Sequence, residues 1–254
     1  MDNTALPPKV VLTDAIHPEA HAMLAGEARV TTLDAGLQPA AAARALRAEI
    51  RDAQGLIVRR PLPPDLFDGP HALRGVVRHG VGLDFIPLAS ATRQGLPVAN
   101  TLAANANAVA EYAIAAILEN ARRFRFFDRQ VRQGNWNARG DAAATTSELR
   151  GRTLGLVLVN VARGAVIHEP DLVDALEAGR IAGAALDVFA TQPLPMDSRL
   201  LNHPRVALTP HLAGTTGDAA LAMGLMAVRT QLALIRGERP DHVVNRQCYE
   251  KETS

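Results

Sequence analysis

The sequence has one cysteine, almost no net charge and no long apolar run, and each shortage excludes a class of protein. Cys248 has no second cysteine with which to form an intrachain disulfide, so the fold does not depend on an oxidising compartment. The 27 basic and 26 acidic side chains leave a formal charge of +1, too small to attract nucleic acid or anionic lipid. No segment approaches the roughly 18 apolar residues of a membrane span, and the first residues do not have the pattern of a secretion signal. We expect a cytoplasmic protein that binds neither nucleic acid nor a membrane.

A chain of 254 residues is long enough for two domains that each bury a core. In its first hundred residues, short β-branched apolar runs alternate with Ala- and Leu-rich stretches, which is typical of successive strand and helix units. The predicted strands are KVVLTD (9–14), ARVTTLD (28–34), GLIVRR (55–60), LRGVVRHG (73–80) and LPVAN (96–100). This alternation predicts an open α/β domain in which helices cover a parallel sheet.

Helix and strand patterns continue in the second half of the chain. Apolar residues at i, i+3, i+4 and i+7 predict a long helix from Asn105 to Phe124. The next stretch, RRFRFFDRQVRQGNW, mixes arginines with aromatics; its helical spacing favours a core or dimer-contact face, and nucleic-acid stacking is the alternative. Further along, the pattern predicts a helix at 169–180, strands at 183–189 and 205–211, and a last helix that ends near Ile235.

Six segments carry a resemblance to a known family. They are HGVGLDFI (79–86), LPVANTLAANANAVAEY (96–112), ELRGRTLGLV (148–157), NVARG (160–164), ALDVFATQP (185–193) and LTPHLAG (208–214). In this order they resemble the D-isomer-specific 2-hydroxyacid dehydrogenases, the group that contains phosphoglycerate dehydrogenase. Several motifs in the family's order are much more specific than any one of them alone.

The resemblance implies an α/β fold with two doubly wound domains. A flavodoxin-like substrate domain would comprise residues 1–100, completed by a C-terminal helix at about 216–245, and residues 101–215 would form a Rossmann-type dinucleotide-binding sheet. The resemblance also implies hydride transfer between NAD or NADP and a small 2-hydroxy or 2-keto acid. Family members commonly use the long helix for dimerisation, so a homodimer is expected.

The sequence departs from the family after the strand TLGLV (153–157). In active members that strand enters a G-x-G-x-x-G turn and a helix, and an acidic residue about 20 positions later binds the ribose. Here Leu158 follows Val157 directly, where family members place roughly eighty further residues. We therefore expect a truncated Rossmann-type sheet, in which residues 153–162 form one strand or one of the two joined strands loses its place. The apolar faces left exposed predict a destabilised or dimer-dependent protein.

A partial glycine pattern occurs earlier, in GVGLDF (80–85), with Phe85 where the third glycine of a dinucleotide loop would stand. In the family the matching loop presents backbone N–H groups to the substrate carboxylate, which glycines allow because they let the main chain approach an anion closely. Gly80, Val81 and Gly82 are therefore substrate-binding candidates. A plain structural turn and a dinucleotide loop are the alternatives.

Three residues match the family's catalytic positions: Arg163, Gln192 and His211. In the family the arginine binds the substrate carboxylate and keto oxygen, and the histidine exchanges a proton with the hydroxyl. The third position is a glutamate that stabilises the imidazolium, and Gln192 can orient the imidazole but brings no charge. The formate dehydrogenase branch looks similar there, so Gln192 alone does not prove inactivity. A strand-end salt bridge for Arg163 and a plain loop histidine for His211 are the alternatives.

The resemblance also supplies cofactor-binding candidates. Asp187 matches a position that meets the nicotinamide amide, although an aspartate at a strand end can simply bond the backbone. Val161, Ala162 and Gly214 complete the set.

Arg59 and Asn105 match positions near the family's substrate cleft, although an exposed arginine and a helix N-cap asparagine need no function. His79 adjoins the glycine loop and is a further candidate. The remaining histidines show no metal-ligand spacing, so no metal is expected.

Two functions are consistent with these residues. The first is an NAD(P)-dependent 2-hydroxyacid dehydrogenase homologue, weak or inactive because the glycine turn is absent and the glutamate is Gln192. The second is a non-catalytic remnant that binds carboxylates or another subunit. A defective gene product, with an in-frame loss between codons 157 and 158, is a further explanation.

Overall fold

The computed structural model describes residues 6–150 and 157–253, with side chains to residue 250. It divides into two compact units. Unit 1 consists of Met1–Asn105 and Gly217–Ser254, and unit 2 consists of Ala106–Thr216. Most of the joined segment TLGLV lies outside the described residues, so the expected single strand at 153–162 is described only from Val157 onwards.

The described residues contain eight strands, eight α-helices and four short 3₁₀ segments. The strands are β1 (Lys9–Leu12), β2 (Arg29–Thr32), β3 (Gly55–Val58), β4 (Gly75–Arg78), β5 (Val98–Asn100), β6 (Val157–Asn160), β7 (Gly183–Leu186) and β8 (Val206–Leu208). The helices are α1 (Pro18–Ala25), α2 (Pro39–Glu49), α3 (Leu88–Arg93), α4 (Ala106–Arg122), α5 (Phe124–Arg132), α6 (Ala142–Thr145), α7 (Glu169–Glu177) and α8 (Gly217–Ile235). The 3₁₀ segments are Leu66–Asp68, Trp136–Asp141, Gly164–Val166 and Arg246–Thr253.

Unit 1 is built on a five-stranded parallel sheet in the order β2-β1-β3-β4-β5. Val10 of β1 lies opposite Val30 on one side and Gly55 on the other. This order is the flavodoxin-like one, which confirms the predicted fold class of the first half of the chain. All five strands predicted there are present, each shorter than its predicted run.

Helix α8 belongs to the interior of unit 1. Its fully buried Gln231 accepts a hydrogen bond from the Leu56 N–H and donates one to the Gly75 carbonyl, each at 3.2 Å. Gly75 permits this approach, because a Cβ there would lie 2.6 Å from Leu234 Cδ1. By length and composition α8 is the one helix among the described residues that could cross a membrane, and 56% of that apolar window is buried. Its apolar character therefore reflects packing onto the sheet.

Helix α8 ends at Ile235, as the residue pattern predicted, so the range 216–245 implied by the resemblance was too long for the C-terminal helix. Gly237 takes the left-handed conformation, with φ of 82°. Its N–H bonds the Leu234 carbonyl, and the next N–H, of Glu238, bonds the Ala233 carbonyl. This pair of bonds closes the helix with a Schellman motif, which glycine favours because it tolerates positive φ.

Unit 2 contains, among its described residues, a parallel sheet in the order β6-β7-β8. Val157 pairs with Gly183, and Ala184 pairs with Val206. Helix α4 covers one face, where Ala116 packs on Ala185. Helix α7 covers the other face, where its leucines pack on Ala184 and Leu186 in the core of the unit. The chain therefore combines mixed α/β structure with parallel sheets in both units.

The helix predicted to reach Phe124 is interrupted before that residue. Arg123 has a φ of 55°, the left-handed region that a non-glycine residue rarely adopts, so α4 ends at Arg122 and α5 starts at Phe124. Phe124 is 57% exposed, and α5 has no buried residue. The core interpretation of this aromatic stretch is therefore wrong, and the dimer-contact interpretation remains a prediction.

Candidate functional site

The candidate catalytic residues lie at one edge of the unit 2 sheet. Arg163 follows β6, Gln192 follows β7 and His211 follows β8, and the three strands run parallel. Because the carboxyl ends of parallel strands meet at one edge, the sheet places all three side chains there. All three residues are exposed. In open α/β sheets this edge is where ligands bind.

The turn that carries Arg163 is shaped by a single asparagine. The buried Asn160 donates through Nδ2 to the Arg163 carbonyl at 2.8 Å, and its Oδ1 accepts from the Ala162 N–H at 3.1 Å. Gly164 follows, and a Cβ on it would lie 1.9 Å from the carbonyl carbon of Phe189. Only glycine lets this turn pack against the segment after β7. The predicted cofactor residue Ala162 thus has its N–H committed to the turn.

Gln192 and His211 are in direct contact. The imidazole Nδ1 of His211 lies 3.2 Å from Oε1 of Gln192, while Nε2 of Gln192 donates to the Phe189 carbonyl at 3.3 Å. The second bond identifies which end of the amide faces the histidine. An amide oxygen only accepts hydrogen bonds, so Nδ1 of the neutral imidazole carries the proton and Nε2 presents a lone pair. Nε2 is therefore positioned to take a proton from a hydroxyl group.

Asp187 supports the loop that carries His211. The aspartate is 1% exposed, and its carboxylate accepts from the Thr209 hydroxyl at 2.6 Å and from the N–H groups of Leu212 and Ala213 at 2.8 Å. These bonds hold His211 at a φ of 54°. The strand-end alternative, bonding to the backbone, is thus present in the structure, and contact with a nicotinamide amide remains a prediction.

Two residues that sequence reasoning did not assign to the site complete this network. The Tyr112 hydroxyl lies 2.5 Å from the Thr209 hydroxyl, and Tyr112 is the donor because Thr209 already donates to Asp187. Burial, and to a lesser extent the charge of Asp187, raise the pKa of Tyr112 and keep it protonated. The signal for Thr209 was available, since it stands two residues before His211 at the end of β8, whereas Tyr112 looked like one more residue of the buried helix face.

In unit 1 the glycine loop after β4 is held by an arginine. The Arg78 guanidinium donates to the carbonyls of Val58 at 2.9 Å, His79 at 2.8 Å and Gly82 at 3.2 Å. Gly80 has a φ of 136°, and its N–H donates to the Thr101 hydroxyl at 2.8 Å.

The Gly80 N–H therefore already has a hydrogen-bond acceptor within unit 1. The N–H groups of Val81 and Gly82 have no acceptor in the part of the chain that the structure describes, and Val81 is exposed. Two adjacent backbone donors beside arginine form the kind of concavity that holds a carboxylate.

The other unit 1 candidates have different surroundings. The exposed Arg59 donates through Nη1 to the Ala15 carbonyl, and its backbone N–H donates to the Thr13 hydroxyl at 2.8 Å. Asn105 is half-buried and directly precedes α4. His79 is only 5% exposed, and burial, with Arg59 and Arg78 nearby, lowers its pKa to about 4. Its imidazole is therefore neutral near pH 7, and in the described chain its Nε2 has no hydrogen-bond partner.

The described residues of unit 2 do not fit the diphosphate of a dinucleotide. That group needs a glycine turn leading into a helix N-terminus. The strand-to-helix connection within unit 2 runs from β6 to α7, and the first turn of α7 contains Glu169 and Asp171. Glu169 already accepts the Ala190 N–H at 2.7 Å. Two carboxylates at this position repel a diphosphate. The described ranges contain no group of three or more His, Cys, Asp or Glu residues that could hold a metal ion.

Comparisons with known proteins agree with this architecture. A family model described as D-isomer specific 2-hydroxyacid dehydrogenase, NAD binding domain, matches residues 155–213. The glyoxylate reductase of Thermofilum pendens is 27% identical over 323 residues, covering 94% of this chain and 95% of that protein. The glyoxylate/hydroxypyruvate reductase A of Enterobacter sp. (strain 638) is 48% identical over 90 residues, covering 35% of this chain and 28% of that protein.

A solved structure is similar to this chain over nearly its full length. The NADPH-dependent glyoxylate/hydroxypyruvate reductase from Sinorhizobium meliloti, in complex with citrate, has a TM-score of 0.79 and 26% identity. The match covers 94% of this chain and 98% of that one.

The alignment with the Thermofilum protein also measures how much shorter this chain is. Ninety-four per cent of 254 residues is about 239, so about 84 of the 323 aligned positions have no counterpart here. The block predicted to be missing, and its location between residues 157 and 158, stay predictions. The family model, the relatives and the shared fold together support a place for this chain among the D-isomer-specific 2-hydroxyacid dehydrogenases.

Proposed function

We propose that this chain binds a small 2-keto or 2-hydroxy acid and that its hydride-transfer activity is weak or absent. Its family consists of NAD(P)-dependent 2-hydroxyacid dehydrogenase-like oxidoreductases, and the relatives described above are named as reductases of glyoxylate and hydroxypyruvate. The proposal separates two abilities that an active member needs together. One is recognition of the acid, and the other is binding of the nicotinamide dinucleotide.

Acid recognition in unit 1 is assigned to the loop after β4. The N–H groups of Val81 and Gly82 are the donors for a carboxylate, and the absence of a side chain on Gly82 lets the ligand approach the backbone. The bonds from Arg78 hold the loop in one conformation. A preformed loop of this kind lowers the entropy cost of binding.

Unit 2, taken by itself, carries groups suited to the oxygen atoms of a 2-keto or 2-hydroxy acid. Arg163 has the planar fork and permanent charge that suit two oxygen atoms. His211 offers Nε2 for proton exchange, and Gln192 keeps the imidazole in the matching tautomer. Gln192 adds no negative charge to stabilise an imidazolium, so proton exchange has less electrostatic support than a glutamate would supply.

The single observation that carries the proposal is the acidic β6–α7 connection. Glu169 and Asp171 occupy the helix start where a diphosphate would need bare N–H groups. Whether the nucleotide is NAD or NADP, it would be held by its nicotinamide end, with Val161, Ala162, Asp187 and Gly214 as the candidate contacts. We expect the chain to bind the nucleotide more weakly than a protein with an intact diphosphate-binding turn does, by about 3 kcal/mol or more, roughly a hundredfold in Kd.

Calorimetry and kinetics test this proposal together. We expect saturable binding of glyoxylate to the whole chain, weakened about tenfold by Arg163→Gln, with Arg139→Gln as a charge-matched control elsewhere in unit 2. NADH or NADPH oxidation with glyoxylate, at high protein concentration, is expected to stay at background. Clear turnover that His211→Ala abolishes would show that the chain is an active dehydrogenase.

A second proposed role, contact with another copy of the chain, is favoured by the surface of α4, α5 and the 3₁₀ segment that follows them. Four apolar side chains there are more than half exposed: Ile114, Phe124, Val131 and Trp136. Exposed apolar residues grouped in this way commonly mark an interface. Sedimentation analysis is expected to give a homodimer that Ile114→Asp dissociates, and a monomeric wild-type chain would refute this role.

A further inference from the structure

A cavity of about 880 Å³ lies at the amino ends of β7 and β8 in unit 2. Its lining includes Ala182, which precedes β7, and Arg205, which precedes β8. Arg163, Gln192 and His211 follow the carboxyl ends of the same sheet, so the cavity and the candidate catalytic residues occupy opposite edges. The volume is within the range of about 300 to 1,000 Å³ typical of small-molecule sites.

The lining of this cavity is strongly basic, although the chain as a whole carries a charge of only +1. Four arginines line it: Arg123, Arg125, Arg129 and Arg205. Among the described lining residues Glu119 is the one carboxylate. Burial and the nearby Arg205 lower the pKa of His203, so that residue adds no charge near pH 7. The charge of the cavity is therefore three units positive.

Two of the four guanidinium groups keep their donors available. Arg125 pairs with Glu119 at 2.9 Å, and Arg205 donates to the Leu176 carbonyl. Arg123 stacks on the Phe126 ring, 4.3 Å from its centroid, a contact that leaves the N–H groups in the guanidinium plane unused. Neither Arg123 nor Arg129 contacts a carboxylate within the described parts of the chain.

The uncharged lining also suits a polar ligand. Ser147 and Asn202 bring a hydroxyl and an amide group, whereas the hydroxyls of Thr145 and Thr146 donate to carbonyls of the preceding helical turn. The amino end of α5 also lines the cavity, and the first turn of that helix has no acidic residue. An apolar ligand would leave these groups without partners, and a burial of that kind costs free energy.

We propose that this cavity binds a small polyanion, a molecule with two or more phosphate or carboxylate groups, and that Arg123 and Arg129 are its principal ligands. A guanidinium fork binds two oxygens of such a group at once, and two forks with a net charge of three favour more than one anionic group. A nucleic acid is a poorer occupant, because the chain has no overall positive charge to hold a long phosphate backbone. The proposal does not depend on the function proposed for the other edge.

Calorimetry on the whole chain at low salt tests this proposal, with inorganic pyrophosphate and citrate as separate probes. We expect saturable binding that the double variant R123Q/R129Q weakens about tenfold or more. The matched control is R44Q/R51Q, which removes the same charge from exposed arginines of unit 1 and should stay within about twofold of wild type. Glu119→Gln is expected to strengthen binding about threefold, because it removes the opposing carboxylate and releases Arg125. Misfolding cannot produce that gain.

Tighter binding of pyrophosphate would identify a phosphorylated ligand, and tighter binding of citrate a polycarboxylate; either supports the proposal. Three results would overturn it. One is no saturable binding of either probe up to about 10 mM. Another is an equal loss in the control double variant. The third is binding that Arg163→Gln abolishes and R123Q/R129Q leaves intact, which would place the anion at the other edge of the sheet.

Discussion

Gln192 holds the imidazole of His211 by its side-chain oxygen, 3.2 Å from Nδ1, while its side-chain nitrogen is occupied by the Phe189 carbonyl. The pair therefore has one compatible arrangement of protons. Orientation of the histidine does not require the negative charge of a glutamate. Stabilisation of an imidazolium does require that charge. With glutamine in place of glutamate, the imidazole is still oriented, but its protonated form loses the electrostatic stabilisation that a carboxylate would give.

This contact predicts the tautomer of His211. In the wild-type chain the neutral imidazole should carry its proton on Nδ1, and in Gln192→Ala it should revert to a mixture dominated by Nε2–H. Long-range proton–nitrogen NMR of the histidine side chains measures both states, with His211→Ala to assign the signal. Gln192→Glu is the matched variant, because it keeps an acceptor oxygen. An unchanged tautomer in Gln192→Ala would contradict the contact.

The Asp187 network predicts a large effect of one small change. Thr209→Val keeps the shape of the side chain but removes a donor to a buried carboxylate, and should cost about 2 to 3 kcal/mol of unfolding free energy. Thr209→Ser restores the hydroxyl and should recover most of this loss. Tyr112→Phe, one step further from the charge, should cost about 1 kcal/mol. Urea unfolding measures all three, and equal stability of the valine and serine variants would refute the network.

The close packing of the Arg163 turn predicts that Gly164 cannot be replaced. Gly164→Ala would place a Cβ against backbone atoms of Phe189, which cannot move aside as a side-chain end can. We expect a loss of more than about 3 kcal/mol. Gly140→Ala is the control, since nothing lies within 4 Å of the position that its methyl group would take, and its effect should be near zero. Thermal unfolding of the two variants gives the comparison.

The buried His79 predicts a pH dependence of stability. Its pKa is about 4 in the folded chain and close to 6.5 in the unfolded one, so acid protonates the unfolded state first. The stability is fully present above about pH 6.5 and falls as the pH drops toward 4, by about 2 kcal/mol between pH 7 and 5. His79→Gln should lack this part of the pH dependence, while the other histidines contribute equally to both proteins. Parallel curves for the two proteins from pH 7 to 5 would exclude this role.

The strands of unit 1 could be predicted from the sequence because each is a short β-branched run bounded by polar residues. The three catalytic candidates could be placed at one sheet edge for a similar reason, since Arg163 and Gln192 follow predicted strands and His211 ends one. The break at Arg123 could not be predicted, because helical spacing continues across it and only the backbone shows the left-handed residue. The end of the last helix, by contrast, could be predicted near Ile235 from its apolar pattern.

Contacts between residues far apart in the sequence could not be predicted either. Tyr112 and Thr209 are 97 residues apart, and their hydrogen bond depends on how α4 packs on β8. The basic cavity is likewise lined by arginines from α5 and by Arg205, which precedes β8. The aromatic and arginine pattern of 122–136 does not predict that Arg205 lies beside it. Interactions of this kind follow from the tertiary fold and have no local pattern.

Titration of the chain with NADH and NADPH is the most direct test of the central claim, that the diphosphate site is missing. Thermal unfolding with nucleotide at about 1 to 5 mM, followed by calorimetry, covers the affinities at issue. The account predicts at most slight stabilisation by either nucleotide, corresponding to a Kd of about a millimolar or weaker, and clear stabilisation by glyoxylate. Saturable nucleotide binding with a Kd in the micromolar range would contradict it.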